Sequence, residues 1–191
     1  MKILLINNYQ NNNETATYEA LKAALAGHQV RIQRYKPGLK FEEFDRDLVI
    51  LSGGGGEGSE INDTYKRHKL WYEDQIEFIL STNKPILGIC MGFEVIARAY
   101  NSKVLEMKEY ITGFRKLTAS KSLLPSQDTQ SLRQYENHKW IVPSVSSKHF
   151  EVLAHSGSGI EMIKHKTKKI TATQFHPEKG GTLNLTQLLA L

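Results

Sequence analysis

A single cysteine, Cys90, stands in a chain of 191 residues, so no internal disulfide can form. No CxxC pair is present either, which excludes a structural zinc of that type and dithiol redox chemistry, and fits a reducing compartment. The sequence also lacks an Arg-rich run, a basic stripe interleaved with aromatics, and zinc-ligand spacing. Its formal net charge of +5 therefore reads as a mildly basic surface and not as a nucleic-acid footprint. No apolar run approaches the ~20 residues that span a bilayer. Lys2 precedes a short apolar stretch that Asn7-Asn8-Tyr9-Gln10 ends well before a signal-peptide core would end. Repeats and low-complexity tracts are missing, and no grouping of carboxylates and histidines along the chain marks a metal site. The expectation is a cytoplasmic protein with no metal, no cofactor, no nucleic-acid partner and no membrane contact.

What is there suits one well-filled domain over residues 1–191, with 40% hydrophobic and 24% charged residues. Lys2 to Asn7 is a branched apolar run bounded by polar residues, as expected of a strand buried on both faces of a parallel sheet. Thr15 to Ala26 carries Ala16, Ala20, Leu21, Ala24 and Leu25 at helical spacing, with Gly27 as a stop. Strands are expected at Gln29 to Arg34, Asp47 to Ser52 and Pro85 to Ile89, and helices at Tyr65 to Leu80 and Phe93 to Tyr100. This alternation builds βαβ units around a mainly parallel sheet.

Beyond Tyr100 the pattern shifts to short strand-like runs, at Lys103 to Met107, Phe114 to Ala119, Phe150 to His155, Ile160 to Ile163 and Ile170 to Phe175. Ser120 to Ser131 reads as a loop and Leu183 to Leu191 as a short closing helix. Asp45 and Asp47 read as loop and strand-cap residues. Lys164 to Lys169 forms either a charged hairpin tip or an electropositive contact for a partner or nucleotide.

The strand-to-helix junction Gly88-Ile89-Cys90-Met91-Gly92 follows the nucleophile-elbow pattern, with cysteine in the nucleophile's place. Its glycines permit a tight turn, and unpaired N–H groups at the following helix N-terminus favour a thiolate. A small apolar cysteine packed between two glycines would give the same letters. The segment Gln174-Phe175-His176-Pro177-Glu178 then supplies the rest of a triad. In an extended segment His176 and Glu178 project to one side, with Pro177 keeping the pair extended. A carboxylate on the far ring nitrogen fixes the tautomer of a histidine base and stabilises its charged form. His-Pro-Glu by itself is equally compatible with a surface turn.

Together, the Ser52 to Gly56 turn, the Cys90 elbow and Gln174 to Glu178 resemble the three motifs of class I glutamine amidotransferases, in that family's order and over nearly the whole chain. Within the family, Asn101 to Lys116, His138 and Phe150 to Glu178 look most like the glutaminase subunit of archaeal two-subunit GMP synthases. The resemblance implies a flavodoxin-like α/β fold, with a mostly parallel central sheet flanked by helices and a strand-rich C-terminal half. It further implies Cys90, His176 and Glu178 as catalytic residues, the backbone N–H groups of Gly54 and Met91 as oxyanion hole, and glutamine as substrate. Ammonia would pass to an ATP-dependent synthetase subunit in purine biosynthesis.

Two positions depart from the family pattern. Glu94 replaces a glutamine that helps hold the substrate, and a carboxylate accepts hydrogen bonds without donating them. Gly55 stands where proline is frequent and loosens the turn. Cys-x-Gly-Phe-Glu also resembles the γ-glutamyl hydrolase branch, so a stand-alone γ-glutamyl hydrolase or amidase is the rival reading. A catalytically silent regulator with the same fold is a third. His138 matches a histidine near the inter-subunit face of GMP-synthase glutaminases and is the partner-facing candidate, unless it is a polar loop residue beside Trp140.

Overall fold

A computed structural model describes residues 1–9, 16–41, 45–55, 70–123 and 131–190. The chain runs β1 (Lys2–Tyr9), α1 (Ala16–Ala24), β2 (Gln29–Arg34), β3 (Leu48–Gly55), α2 (Glu73–Ser81), β4 (Ile86–Ile89) and α3 (Met91–Ala99). It continues through β5 (Leu105–Ala119), β6 (Ser131–Ile141), β7 (Phe150–His155), β8 (Ile160–His165), β9 (Ile170–Thr173), one 3₁₀ turn at Pro177–Lys179, and α4 (Leu185–Leu188). The nine strands among the described residues join one sheet in the order β2-β1-β3-β4-β9-β8-β7-β5-β6.

Five strands, β2, β1, β3, β4 and β9, run parallel, and the remainder pair antiparallel. Strand β1 lies between β2 and β3, which explains why Ile3 to Ile6 are all fully buried. Alternate residues serve opposite layers. Ile3, Leu5, Ile50, Leu87 and Ile89 pack with Tyr18 and Leu21 of α1, whereas Leu4, Ile6, Val49, Leu51 and Ile86 pack with Phe78 and Ile79 of α2 and Val95 and Ile96 of α3. A third cluster around Leu117, Leu132, Met162 and Phe175 closes the antiparallel half. No helix among the described residues is long and apolar enough to cross a membrane.

Several expectations change. The two runs expected at Lys103 to Met107 and Phe114 to Ala119 are one strand, β5, and β6 has no counterpart among the expected strands because its polar inward residues conceal the alternation. Of the expected helix at Tyr65 to Leu80, the first five residues lie outside the described residues, and α2 begins only at Glu73. The expected Ser120 to Ser131 loop overlaps undescribed residues 124–130 and ends where β6 starts. Asp47 accepts from the backbone N–H of Lys2 at 2.7 Å, and Asp45 pairs with the Lys2 ammonium. In the Lys164 to Lys169 segment, Lys166 donates to the Ser147 carbonyl at 2.6 Å and Lys168 to that of Leu80 at 2.7 Å. Those two ammonium groups tie the turn to the body of the fold.

Candidate active site

The carboxyl ends of parallel strands are where open α/β sheets place ligands, and the motif residues gather there. Strand β4 delivers Cys90 as the residue preceding α3, with its N–H donating to the Thr173 carbonyl at 2.8 Å. Cys90 has φ 52° and ψ −106°, a left-handed conformation that a side-chain-bearing residue adopts at a cost on the order of 1–3 kcal/mol. The strain thus falls on the cysteine itself. The flanking glycines are needed for space: a Cβ on Gly92 would lie 2.2 Å from the Leu51 carbonyl oxygen, and one on Gly88 would lie 2.7 Å from that of Gly92. Helix α3 is therefore pressed directly onto β3 and β4.

His176 follows β9, with its N–H held by the Tyr135 carbonyl at 2.8 Å. Its Nδ1 lies 2.6 Å from Glu178 Oε1, and both side chains are buried. The pair is closed by a turn and not by an extended run: Pro177 opens the 3₁₀ turn that carries Glu178 back under the ring, correcting the expectation that proline keeps the segment extended. The opposite nitrogen, Nε2, is buried and without a hydrogen-bond partner among the described residues.

The glycine turn at the end of β3 joins these two pieces. A Cβ on Gly53 would lie 3.1 Å from His176 Cε1, and one on Gly54 would lie 2.6 Å from Met91 Sδ. Gly53 thus abuts the histidine and Gly54 abuts the residue after the cysteine. Gly55 pairs with Tyr9 at the end of β3, and Gly56 lies outside the described residues.

Around the thiol, Cys90 Sγ lies 3.9 Å from the Asn137 carbonyl and 3.9 Å from Gln174 Nε2. Burial pushes the Cys90 thiol well above its usual range, and the charges of Glu94 and Glu178 add to this; the Met91 N–H opposes them. The expected thiolate-favouring helix terminus is therefore outweighed. Glu94 is buried, accepts from Gln174 Nε2 at 2.9 Å, and is pushed up to about 7 by burial. Gln174 and Asn137 acquire contacts that no motif spacing assigns to them, since both depend on strands distant in sequence from Cys90.

His138 sits on β6 with only 3% of its surface exposed. Its Nδ1 lies 2.8 Å from the Trp140 carbonyl and its Nε2 lies 3.5 Å from Glu136 Oε2. In the isolated chain this ring points inward and offers no surface to a partner. Glu161 of β8 completes a buried group with Glu136 and His138, in which one ligand-type atom from each lies within 4.8 Å of the others. Its members come from two strands, so no spacing along the chain marks it.

The model of the family described as glutamine amidotransferase class-I matches residues 4–191. The chain belongs to this family. It is 37% identical to the glutamine-hydrolysing GMP synthase subunit of Methanocaldococcus jannaschii over 110 residues, covering 56% of this chain and 57% of that relative. The match thus spans little more than half of that relative's length. It is 27% identical to anthranilate synthase component 2 of Helicobacter pylori, covering 99% of this chain and 94% of the relative. The fold superposes on that of a Thermoplasma acidophilum protein assigned as one of the GMP synthase subunits with a TM-score of 0.71 at 24% identity, over 93% of this chain and 84% of the other. The flavodoxin-like amidotransferase fold expected from the motifs is the one observed.

Proposed function

We propose that this chain hydrolyses glutamine to glutamate and ammonia through a Cys90, His176 and Glu178 triad and hands the ammonia to an ATP-dependent synthetase subunit, as in GMP synthase. The observation that carries this reading is the His176 Nδ1–Glu178 Oε1 contact of 2.6 Å. With its proton on Nδ1 facing Glu178, the ring would keep buried Nε2 as the free base, at the strand end shared with Cys90.

The raised thiol fits a nucleophile deprotonated on demand. Cys90 Sγ–H would give its proton to His176 Nε2 as sulfur attacks the glutamine side-chain amide carbon. The resulting oxyanion would be met by the backbone N–H groups of Gly54 and Met91, each worth about 3 kcal/mol in comparable sites. The imidazolium would then protonate the departing nitrogen, releasing ammonia and a γ-glutamyl thioester. His176 would next take a proton from water, whose oxygen displaces the thiolate and yields glutamate. Throughout, Glu178 would hold the ring and balance its charge. The relatives include both GMP synthase and anthranilate synthase subunits, and the GMP synthase assignment rests on the sequence features at Asn101 to Lys116, His138 and Phe150 to Glu178.

A second reading is favoured by one observation: Glu94, where a substrate-holding glutamine is usual, is buried and committed to Gln174. A γ-glutamyl hydrolase would need a different grip on the substrate at this point. The test is the intact mass after exposure to an electrophilic glutamine analogue, with Cys90→Ala and excess glutamine as controls. One adduct, lost in the variant and suppressed by glutamine, is expected. An adduct suppressed only by γ-glutamyl peptides supports the hydrolase. If no adduct forms on this chain or on Glu94→Gln, the triad proposal fails in favour of a silent regulator.

A further inference from the structure

Glu136 and His138 lie two residues apart on β6, and Glu161 lies on β8. Their exposures are 1%, 3% and 1%, so bulk solvent does not reach their polar atoms. Three of those atoms, Glu136 Oε1, His138 Nε2 and Glu161 Oε2, have no hydrogen-bond partner among the described residues. Two of the other atoms, Glu161 Oε1 and His138 Nδ1, are held from behind. Ser156 Oγ donates to Glu161 Oε1 at 2.6 Å, and the 2.8 Å contact of His138 Nδ1 with the Trp140 carbonyl is that of an N–H donating to it. A histidine whose Nδ1–H is fixed on a carbonyl turns the lone pair of Nε2 toward its other neighbours, as metal-binding histidines do.

Two distances distinguish this group from an ordinary ion pair. His176 and Glu178, also buried, close to 2.6 Å, whereas His138 Nε2 and Glu136 Oε2 stand at 3.5 Å. Two ligand atoms on one tetrahedral ion with bonds of about 2.1 Å are separated by about 3.4 Å. From these contacts we infer that Glu136, His138 and Glu161 bind a divalent transition-metal cation, of which zinc is the simplest case.

Two carboxylates enclosed together call for a counter-cation. One nitrogen and carboxylate oxygens suit zinc, manganese or iron better than a soft, thiolate-seeking ion. The site would also act on the nucleophile. Asn137, between two ligands, presents its carbonyl to Cys90 Sγ, and the Glu161 carbonyl accepts the N–H of Gln174 at 2.8 Å. A cation here would fix the backbone that lines the thiol.

The test is titration of chelator-treated, dialysed protein with cobalt(II) and with zinc, following cobalt visible absorption and the metal retained after gel filtration. One equivalent per chain is expected, without an intense sulfur-to-cobalt charge-transfer band. Glu161→Gln and Glu136→Gln should each weaken binding on the order of tenfold or more, and Cys90→Ala should leave it unchanged. Circular dichroism and metal-free Tm of the glutamine variants, expected at or above the wild-type value, show that the fold persists. Substoichiometric binding by the folded wild type overturns the proposal, as does binding that survives both glutamine variants or vanishes with Cys90→Ala.

Discussion

Gln174 Nε2 donates to Glu94 Oε1 across 2.9 Å and stands 3.9 Å from Cys90 Sγ, so a buried carboxyl and the lone cysteine share one amide. The proton on Glu94 therefore bears on both the stability of the fold and the reactivity of the thiol. Above its titration, a negative charge is enclosed beside a group that would itself become negative.

Stability should fall as pH rises through the neutral range. Burial raises the Glu94 carboxyl from 4.5 to about 7 in the folded chain. A raised pKa gives stability that is fully present below about 4.5 and lost progressively as pH climbs to about 7. At about 1.36 kcal/mol per pH unit, this gap sets an upper limit of about 3 kcal/mol. Urea unfolding at pH 5.5 and pH 8 should show the wild type weaker at the higher pH, and Glu94→Gln should reduce that difference. Some slope should remain, because Glu161 and His138 are shifted in the same direction. An undiminished difference in the variant would show that Glu94 is ionised in both conditions.

Generic alkylation should be slow. The Cys90 thiol is raised by burial and then by Glu94 and Glu178, and thiolate is the reactive form. At pH 7.5, iodoacetamide should modify Cys90 at least roughly tenfold more slowly than a cysteine in an unfolded peptide. Glu94→Gln should raise that rate, since it deletes one of the opposing charges. A wild-type rate equal to the peptide's would mean that the thiol ionises as an exposed cysteine does and that burial and the charges around it are compensated.

The parallel half of the fold is legible in the sequence because β1, β3 and β4 are buried on both faces and its helices carry apolar residues at regular spacing. The motif residues are legible because each pair closes locally: Cys90 against its own helix, His176 against Glu178 two residues on. What escapes a reading along the chain is built across the sheet. The polar residues of β6, Gln134, Glu136 and His138, face inward and are buried, so the strand lacks the apolar alternation that identifies one. The contacts of Asn137 and Gln174 with Cys90 depend on strand order, which places β9 beside β4. Even the elbow's glycines have a cause other than the one their spacing suggests. They are required by the approach of Leu51 and Ile96 and not by backbone conformation.

That distinction predicts a ranking of glycine substitutions. A methyl on Gly92 would meet the Leu51 carbonyl oxygen at 2.2 Å, which is backbone that cannot rotate away. Gly92→Ala should cost about 3 kcal/mol or prevent folding. Gly157→Ala, where nothing lies within 4 Å, should change stability by less than about 0.5 kcal/mol. Gly53→Ala sits between these extremes, because its methyl would press on the Tyr9 hydroxyl at 2.8 Å and His176 Cε1 at 3.1 Å. Its adduct yield should fall further than its Tm. Thermal unfolding of the three variants, paired with labelling by the glutamine analogue, checks the order; equal effects of Gly92→Ala and Gly157→Ala would contradict the packing argument.

The orienting role proposed for Glu178 can be separated from mere packing by an isosteric change. Glu178→Gln keeps the volume under the ring, but an amide can also donate to Nδ1, which would move the histidine's proton to Nε2 and remove the base that Cys90 needs. It also withdraws the charge that balances imidazolium. If the triad assignment is correct, the rate of adduct formation with the glutamine analogue should drop roughly 10²–10⁴-fold, while Tm changes little. His176→Ala should fall within the same range, and the double variant should be no slower than the worse single one, since the two residues act as one unit. Additive losses would instead mean that Glu178 and His176 contribute separately, which would undercut the reading of the 2.6 Å contact as the link between acid and base.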